Sequence, residues 1–181
     1  MRALVRVMIG LALLLTAAVP SFAQALPAAQ QQALTERIDS FDTAVRANDI
    51  DGIMGVVPPK VLDRLASQFG LSVDQLIGEM QKQINEVMTD VKIESFGMDA
   101  KKVDFVTESG LTYGLIPTES VIDLGPAGKL RSTTTTVALL EDDTWYLVRI
   151  DNADQIDVIK QVYPILADVQ FPAGTLEPVT Q

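Results

Sequence analysis

The sequence predicts an α+β protein: N-terminal helices packed on a curved, cone-like antiparallel sheet, then a short C-terminal helix and a tail. Three observations predict it. Apolar residues recur at helical spacing up to about Asp90. From Val91 the pattern changes to strand-like alternation. Tight-turn signals join the alternating stretches, which makes an antiparallel meander. Helices first and strands second is the α+β order.

The first element is a leader. Arg2 and Arg6 make a positive start, Val7 to Val19 is an apolar run, and Pro20 ends it. Ser21 and Ala23 stand at −3 and −1 of a cleavage bond, so residues 1–23 read as a signal peptide removed after Ala23; Ala23-Gln24-Ala25 offers cleavage after Ala25 as the second choice. The run is too short to span a bilayer, and no later segment is longer or more apolar. The expected compartment is the periplasm, by a Sec-type route, with no membrane span after cleavage.

Composition narrows the chemistry. Removing the leader takes away two arginines and no acid, so the 158 residues from Gln24 carry 12 basic and 24 acidic side chains, a formal charge of −12. That balance opposes nucleic acid and anionic membrane surfaces. There is no cysteine and no histidine, which removes disulfides, thiol nucleophiles, the Ser-His-Asp triad and the usual zinc ligands. No phosphate loop or dinucleotide fingerprint is present, so no cofactor and no metal are expected. Residues 47–58 fail as a calcium loop, because Ala47 and Pro58 would stand at its first and last ligand positions.

Residues 24–167 are expected to form one domain. Leu34, Ile38, Phe41 and Val45 share one helical face, and Asn48-Asp49 and Asp51-Gly52 interrupt it. A short helix carries Ile53, Met54 and Val57 to Pro58-Pro59. Those prolines start a helix with Val61, Leu62, Leu65 and Phe69 on one face and Gly70 as its C-cap. Ser72 and Gln75 form a capping box with Leu71 and Leu76 as a staple. The stripe Val73, Leu76, Ile77, Met80, Ile84, Val87, Met88 follows.

Val91 to Phe96 alternates as a strand, Met98 to Ala100 reads as a turn, and Val103 to Val106 as a short extended piece. Leu111 to Leu124 is a long strand, and Pro117 within it implies an edge position or a bulge. Gly125 to Gly128 turns the chain into Lys129 to Leu140, where four threonines at 133–136 suit a strand with one wet face. Glu141-Asp142-Asp143 is a tight turn before Thr144 to Ile150. Asn152 opens a last helix with Ile156, Ile159, Val162, Tyr163 and Leu166; residues 168–181 read as an irregular tail.

Two segments carry a family resemblance. Ala44 to Met54 (AVRANDIDGIM) and Thr144 to Ile150 (TWYLVRI), the latter after an acidic turn, resemble the first helix turn and the Trp-containing closing strand of the nuclear transport factor two-like superfamily. The likeness spans about residues 28–166. It implies a curved α+β cone, and the superfamily's isomerase and hydrolase members imply where catalysis would sit. A tyrosine donor beside an aspartate base would be Tyr113 with Asp104 or Asp123, the carboxylate raised by an apolar surround. An Asp–Arg–Asp water-holding set would draw on Arg131 or Arg149 with Asp104, Asp123 and Asp151. Core packing and cross-strand ion pairs explain the same residues without catalysis.

The function expected is therefore that of an exported binding or accessory protein. Its cone would hold a small apolar ligand, with Leu76, Met80, Ile84, Tyr113 and Arg131 lining the cavity, or its sheet face would take a protein partner, a homodimer through the sheet included. The alternative is a histidine-free isomerase or hydrolase using Tyr113, Asp104, Asp123 and Arg149.

Overall fold

The computed structural model describes residues 26–87 and 91–179, and the leader at 1–23 lies outside them. The fold is α+β, with N-terminal helices before a strongly curled antiparallel half-barrel sheet. Helix α1 spans Ala28–Ala47, α2 Ile50–Met54, α3 Pro59–Gln68 and α4 Val73–Val87. Strands β1 (Lys92–Met98), β2 (Val106–Glu108), β3 (Leu111–Asp123), β4 (Lys129–Glu141) and β5 (Thr144–Ile150) follow, then α5 (Ala153–Val162) and β6 (Thr175–Pro178).

Local chemistry explains most boundaries. Asn48 turns α1 off in the left-handed conformation (φ 52°), and Asp49 caps α2 by accepting from the Gly52 N–H. Gly52 is required there, because a Cβ would lie 2.7 Å from the Asp49 carboxylate and 2.9 Å from Ala44 Cβ. Pro59 opens α3, and Gly70 follows that helix with a positive φ. The capping box forms in both directions, Ser72 N–H to Gln75 Oε1 at 2.9 Å and Gln75 N–H to Ser72 Oγ at 3.2 Å. Asn152 Oδ1 accepts from Gln155 N–H and starts α5. Asp142 and Asp143 both adopt positive φ between paired Glu141 and Thr144, which makes a two-residue hairpin of the kind usually built from Asn-Gly.

Two thirteen-residue strands, β3 and β4, form the centre of the sheet. Strands β1 and β2 pair end to end along the outer side of β3, and β5 and β6 do the same along β4. Pro117 sits in β3 without a register shift; the shift is in β1, between Ile93 and Ser95. Pro117 is tolerated because its carbonyl accepts from Asp99 N–H on the β1/β2 side. Its missing donor therefore points into the gap between those two strands rather than at β4.

Both sheet faces are covered over the β5 half. On one, Leu34, Phe41 and Val45 of α1 pack with Phe96, Phe105, Ile116, Ala138, Trp145 and Leu147. On the other, Val158, Ile159, Tyr163 and Leu166, with Val61 of α3, pack on Val137, Leu139, Val148 and Ile150. Helix α1 touches both β1 and β5, which places it within the curl.

Four expectations change. The tail is not wholly irregular: Thr175–Pro178 pairs with Leu130–Thr133, because β4 outruns β5 and leaves its ladder groups open there. The short extended piece starts at Val106, after a 3-10 turn at Ala100–Lys102 capped by Asp99, and Met98 belongs to β1. Thr134, Thr135 and Thr136 are all buried, whereas Thr133 alone of the four faces solvent. Phe69 leaves the α3 stripe and is 68% exposed, since α3 ends at Gln68 and the chain turns there.

Candidate functional site

A cavity of about 400 Å³ lies at the end of the half-barrel where β1 begins and β5 ends. Its wall is built from helices that turn apolar side chains inward. Helix α1 contributes Phe41 and Val45, α2 Ile50, Ile53 and Met54, and the segment into α3 contributes Val57, Val61 and Leu65. Helix α4 adds Met80 and Ile84, four residues apart on one of its faces. Ile93, Leu147, Val148 and Val158 complete the apolar lining. The backbone of β5 is pinned beside the cavity by Leu147 N–H donating to Val56 O at 2.8 Å, which occupies one donor on the free edge of that strand.

Four polar residues share the lining. They are Arg149 and Asp151 at the end of β5, Gln155 in the first turn of α5 and Asn48 at the end of α1. Arg149 Nε donates to Asp151 Oδ1 at 2.8 Å, with the arginine side chain 26% exposed. Asp151 N–H donates to Gln155 Oε1 at 2.6 Å. The pair and the glutamine thus form one ordered corner against an apolar wall.

The residues singled out from the sequence separate into two groups. Met80, Ile84 and Arg149 meet at this cavity, with Asp151. Leu76 is buried but outside its lining. Tyr113 packs on the α5 side of the sheet, and burial, followed by the charge of Glu108, raises its pKa. Asp104 is exposed, and Asp123 accepts from Gly125 N–H in the β3–β4 turn. Tyr113 and Asp123 stand ten residues apart along β3, roughly 30 Å at strand rise, so they do not face a common substrate. Arg131 is exposed on β4, 3.7 Å from Glu119. Arg149 has a single carboxylate partner, and no Asp–Arg–Asp set forms among the described residues. The outer face around Pro117, Glu119, Arg131 and Thr133 is exposed and carries charge and hydroxyls rather than an apolar patch.

Asn48 and Gln155 were not legible as cavity residues. Each reads from the sequence as a helix boundary, and only the fold turns those boundaries toward one point. Among the described residues no three acidic side chains converge as a metal site would require, and no helix is long and apolar enough to cross a membrane. No protein-family model matches the chain, and neither a curated protein nor a solved structure is significantly similar to it.

Proposed function

We propose that this chain is an exported binding protein that takes a small, mainly apolar ligand into the cavity between α2, α3, α4 and the end of β5. The observation that carries this reading is the cavity itself. Close-packed interiors leave few voids larger than a water molecule. A space of about 400 Å³, apolar on most sides with polar groups at one corner, has the size and character of a small-molecule site. The curled sheet behind N-terminal helices is in keeping with the nuclear transport factor two-like resemblance, which by itself carries no activity. The leader supports an encounter with the ligand outside the cytoplasm.

Titration with an environment-sensitive apolar dye tests the reading. The dye is expected to bind the folded protein and to be displaced by small apolar molecules. Met80→Trp, which fills the space beneath α4, is expected to abolish dye binding while the fold is retained. If the folded protein binds no dye, the cavity is not a ligand site, and a protein-partner role takes its place.

A further inference from the structure

The polar corner of the cavity selects a head group. We propose that Arg149 anchors a carboxylate at the end of a short aliphatic chain, so that the ligand is an anionic amphiphile rather than a neutral apolar molecule. This rests on the cavity reading above and names the ligand class.

The argument is an inventory of donors and acceptors. Arg149 uses Nε on Asp151, which leaves the two terminal nitrogens of its guanidinium without a partner among the described residues. Those nitrogens form the fork that matches a carboxylate bidentately. Gln155 has committed its oxygen to the Asp151 N–H, so the group it has left to offer is its amide N–H2. Asn48 adds a second carboxamide to the lining. Asp151 is the one anion at the corner, and the guanidinium already holds its Oδ1. A cationic head group would have to approach that carboxylate beside Arg149 and meet like charge. The corner therefore offers more free donors, the two terminal guanidinium nitrogens and two carboxamide N–H2 groups, than free acceptors, Asp151 Oδ2 and the Asn48 oxygen, which suits an anion. Ile53, Met54, Met80 and Ile84 in the same lining offer apolar surface for the chain.

The experiment measures displacement of the apolar dye from the full mature chain by octanoate, octanol and octylamine, which share a tail and differ in head group. Octanoate is expected to compete about tenfold better than octanol, the scale of a charge-assisted hydrogen bond, and octylamine to compete least. Arg149→Gln is expected to bring octanoate down to octanol, with octanol changed by less than about twofold, the scale of a contact the neutral head never made. Asp151→Asn, which frees the guanidinium from its competing carboxylate, is expected to tighten octanoate, and it gives an independent reading should Arg149→Gln not fold. The proposal is overturned if octanol matches octanoate, if the preference for octanoate survives Arg149→Gln, or if Asp151→Asn weakens octanoate. Failure of the dye to bind at all overturns the cavity reading instead, so the two are told apart.

Discussion

The indole of Trp145 donates through Nε1 to the carbonyl of Gln30, 3.1 Å away, and ties the closing strand to the first turns of α1. The tie is doubled, because Arg37 Nε donates to the Trp145 carbonyl at 2.7 Å. The ring is 2% exposed and meets Phe105 edge-on at 5.5 Å. Trp145→Ala should therefore cost about 3–5 kcal/mol through lost burial and the cavity left behind. Tyr146 points to the other face, half-buried with Arg37 over its ring at 5.9 Å, and Tyr146→Ala should cost clearly less. Urea melts of the two variants check the order. The reverse order would mean that β5 is turned the wrong way.

Buried hydroxyls give a second, opposed pair of expectations. Thr118 and Thr136 share a hydrogen bond at 2.7 Å between strands β3 and β4, and both are buried. Thr118→Val leaves the Thr136 hydroxyl without a partner and should cost about 1–2 kcal/mol, whereas Thr136→Val leaves Thr118 its bond to the Ile116 carbonyl at 3.2 Å and should cost less, and the double change should be closer to neutral. Thr134 is also buried, but its hydroxyl has no hydrogen-bond partner among the described residues. Thr134→Val should therefore be neutral or stabilising by up to about 1 kcal/mol. A double-mutant cycle on 118 and 136, melted beside Thr134→Val, tests both signs.

These threonines show where sequence reading stops. The helix stripes, the capping box at Ser72 and Gln75, and the alternation of β3 to β5 were legible because each is a local signal with its own period or hydrogen bond. The threonine run reads as one wet face because alternation assumes one solvated side. It cannot show that helices cover both faces of the β5 half. The β6 pairing was invisible for a related reason: Thr175–Pro178 has no strand period, and only the overhang of β4 beyond β5 gives it a partner. At the cavity, the apolar stripe through Met80 and Ile84 was legible. The meeting of Arg149, Asp151 and Gln155 with Asn48 was not, since it joins segments about a hundred residues apart, an order-of-magnitude separation no local pattern reports.

Glycines separate packing from propensity. Gly114 lies in β3 under Phe105 and Val103, and a Cβ there would come within 2.7 Å of the Phe105 ring and 2.8 Å of Val103. Gly114→Ala should cost about 1–3 kcal/mol by overpacking. Gly78 sits on the exposed side of α4 with nothing within 4 Å of its missing Cβ. Gly78→Ala should stabilise by about 0.5–1 kcal/mol through helix propensity. Thermal melts of the two should move in opposite directions.

The signal-peptide reading gives a prediction independent of packing. Protein recovered from the periplasm of an expressing bacterium should begin at Gln24, with Leu26 as the second start, because Ser21 and Ala23 stand at −3 and −1 of the cleavage bond. Intact-mass measurement distinguishes the two. A mass that still includes residues 1–23 would overturn the signal-peptide reading.

Alkaline stability should hinge on Tyr163. Its hydroxyl donates to Glu141 Oε2 at 3.1 Å, and Glu141 is also paired with Lys60 of α3. Burial first, then the charge of Glu141 and the hydrogen bond to it, push the phenol well above its usual value near 10. The folded state thus favours the neutral tyrosine, and the unfolded chain ionises it more easily. The resulting stabilisation is fully present below about pH 10 and is lost as pH rises beyond it. Tyr113, raised by burial and Glu108, acts in the same direction. Tyr163→Phe should cost about 1 kcal/mol at neutral pH for the lost hydrogen bond and should flatten, without abolishing, the alkaline decline. Urea melts across the alkaline range, read beside tyrosinate absorbance, check it. An unchanged pH slope in Tyr163→Phe would mean that Tyr163 ionises as freely folded as unfolded, and that the contact with Glu141 is not made in solution.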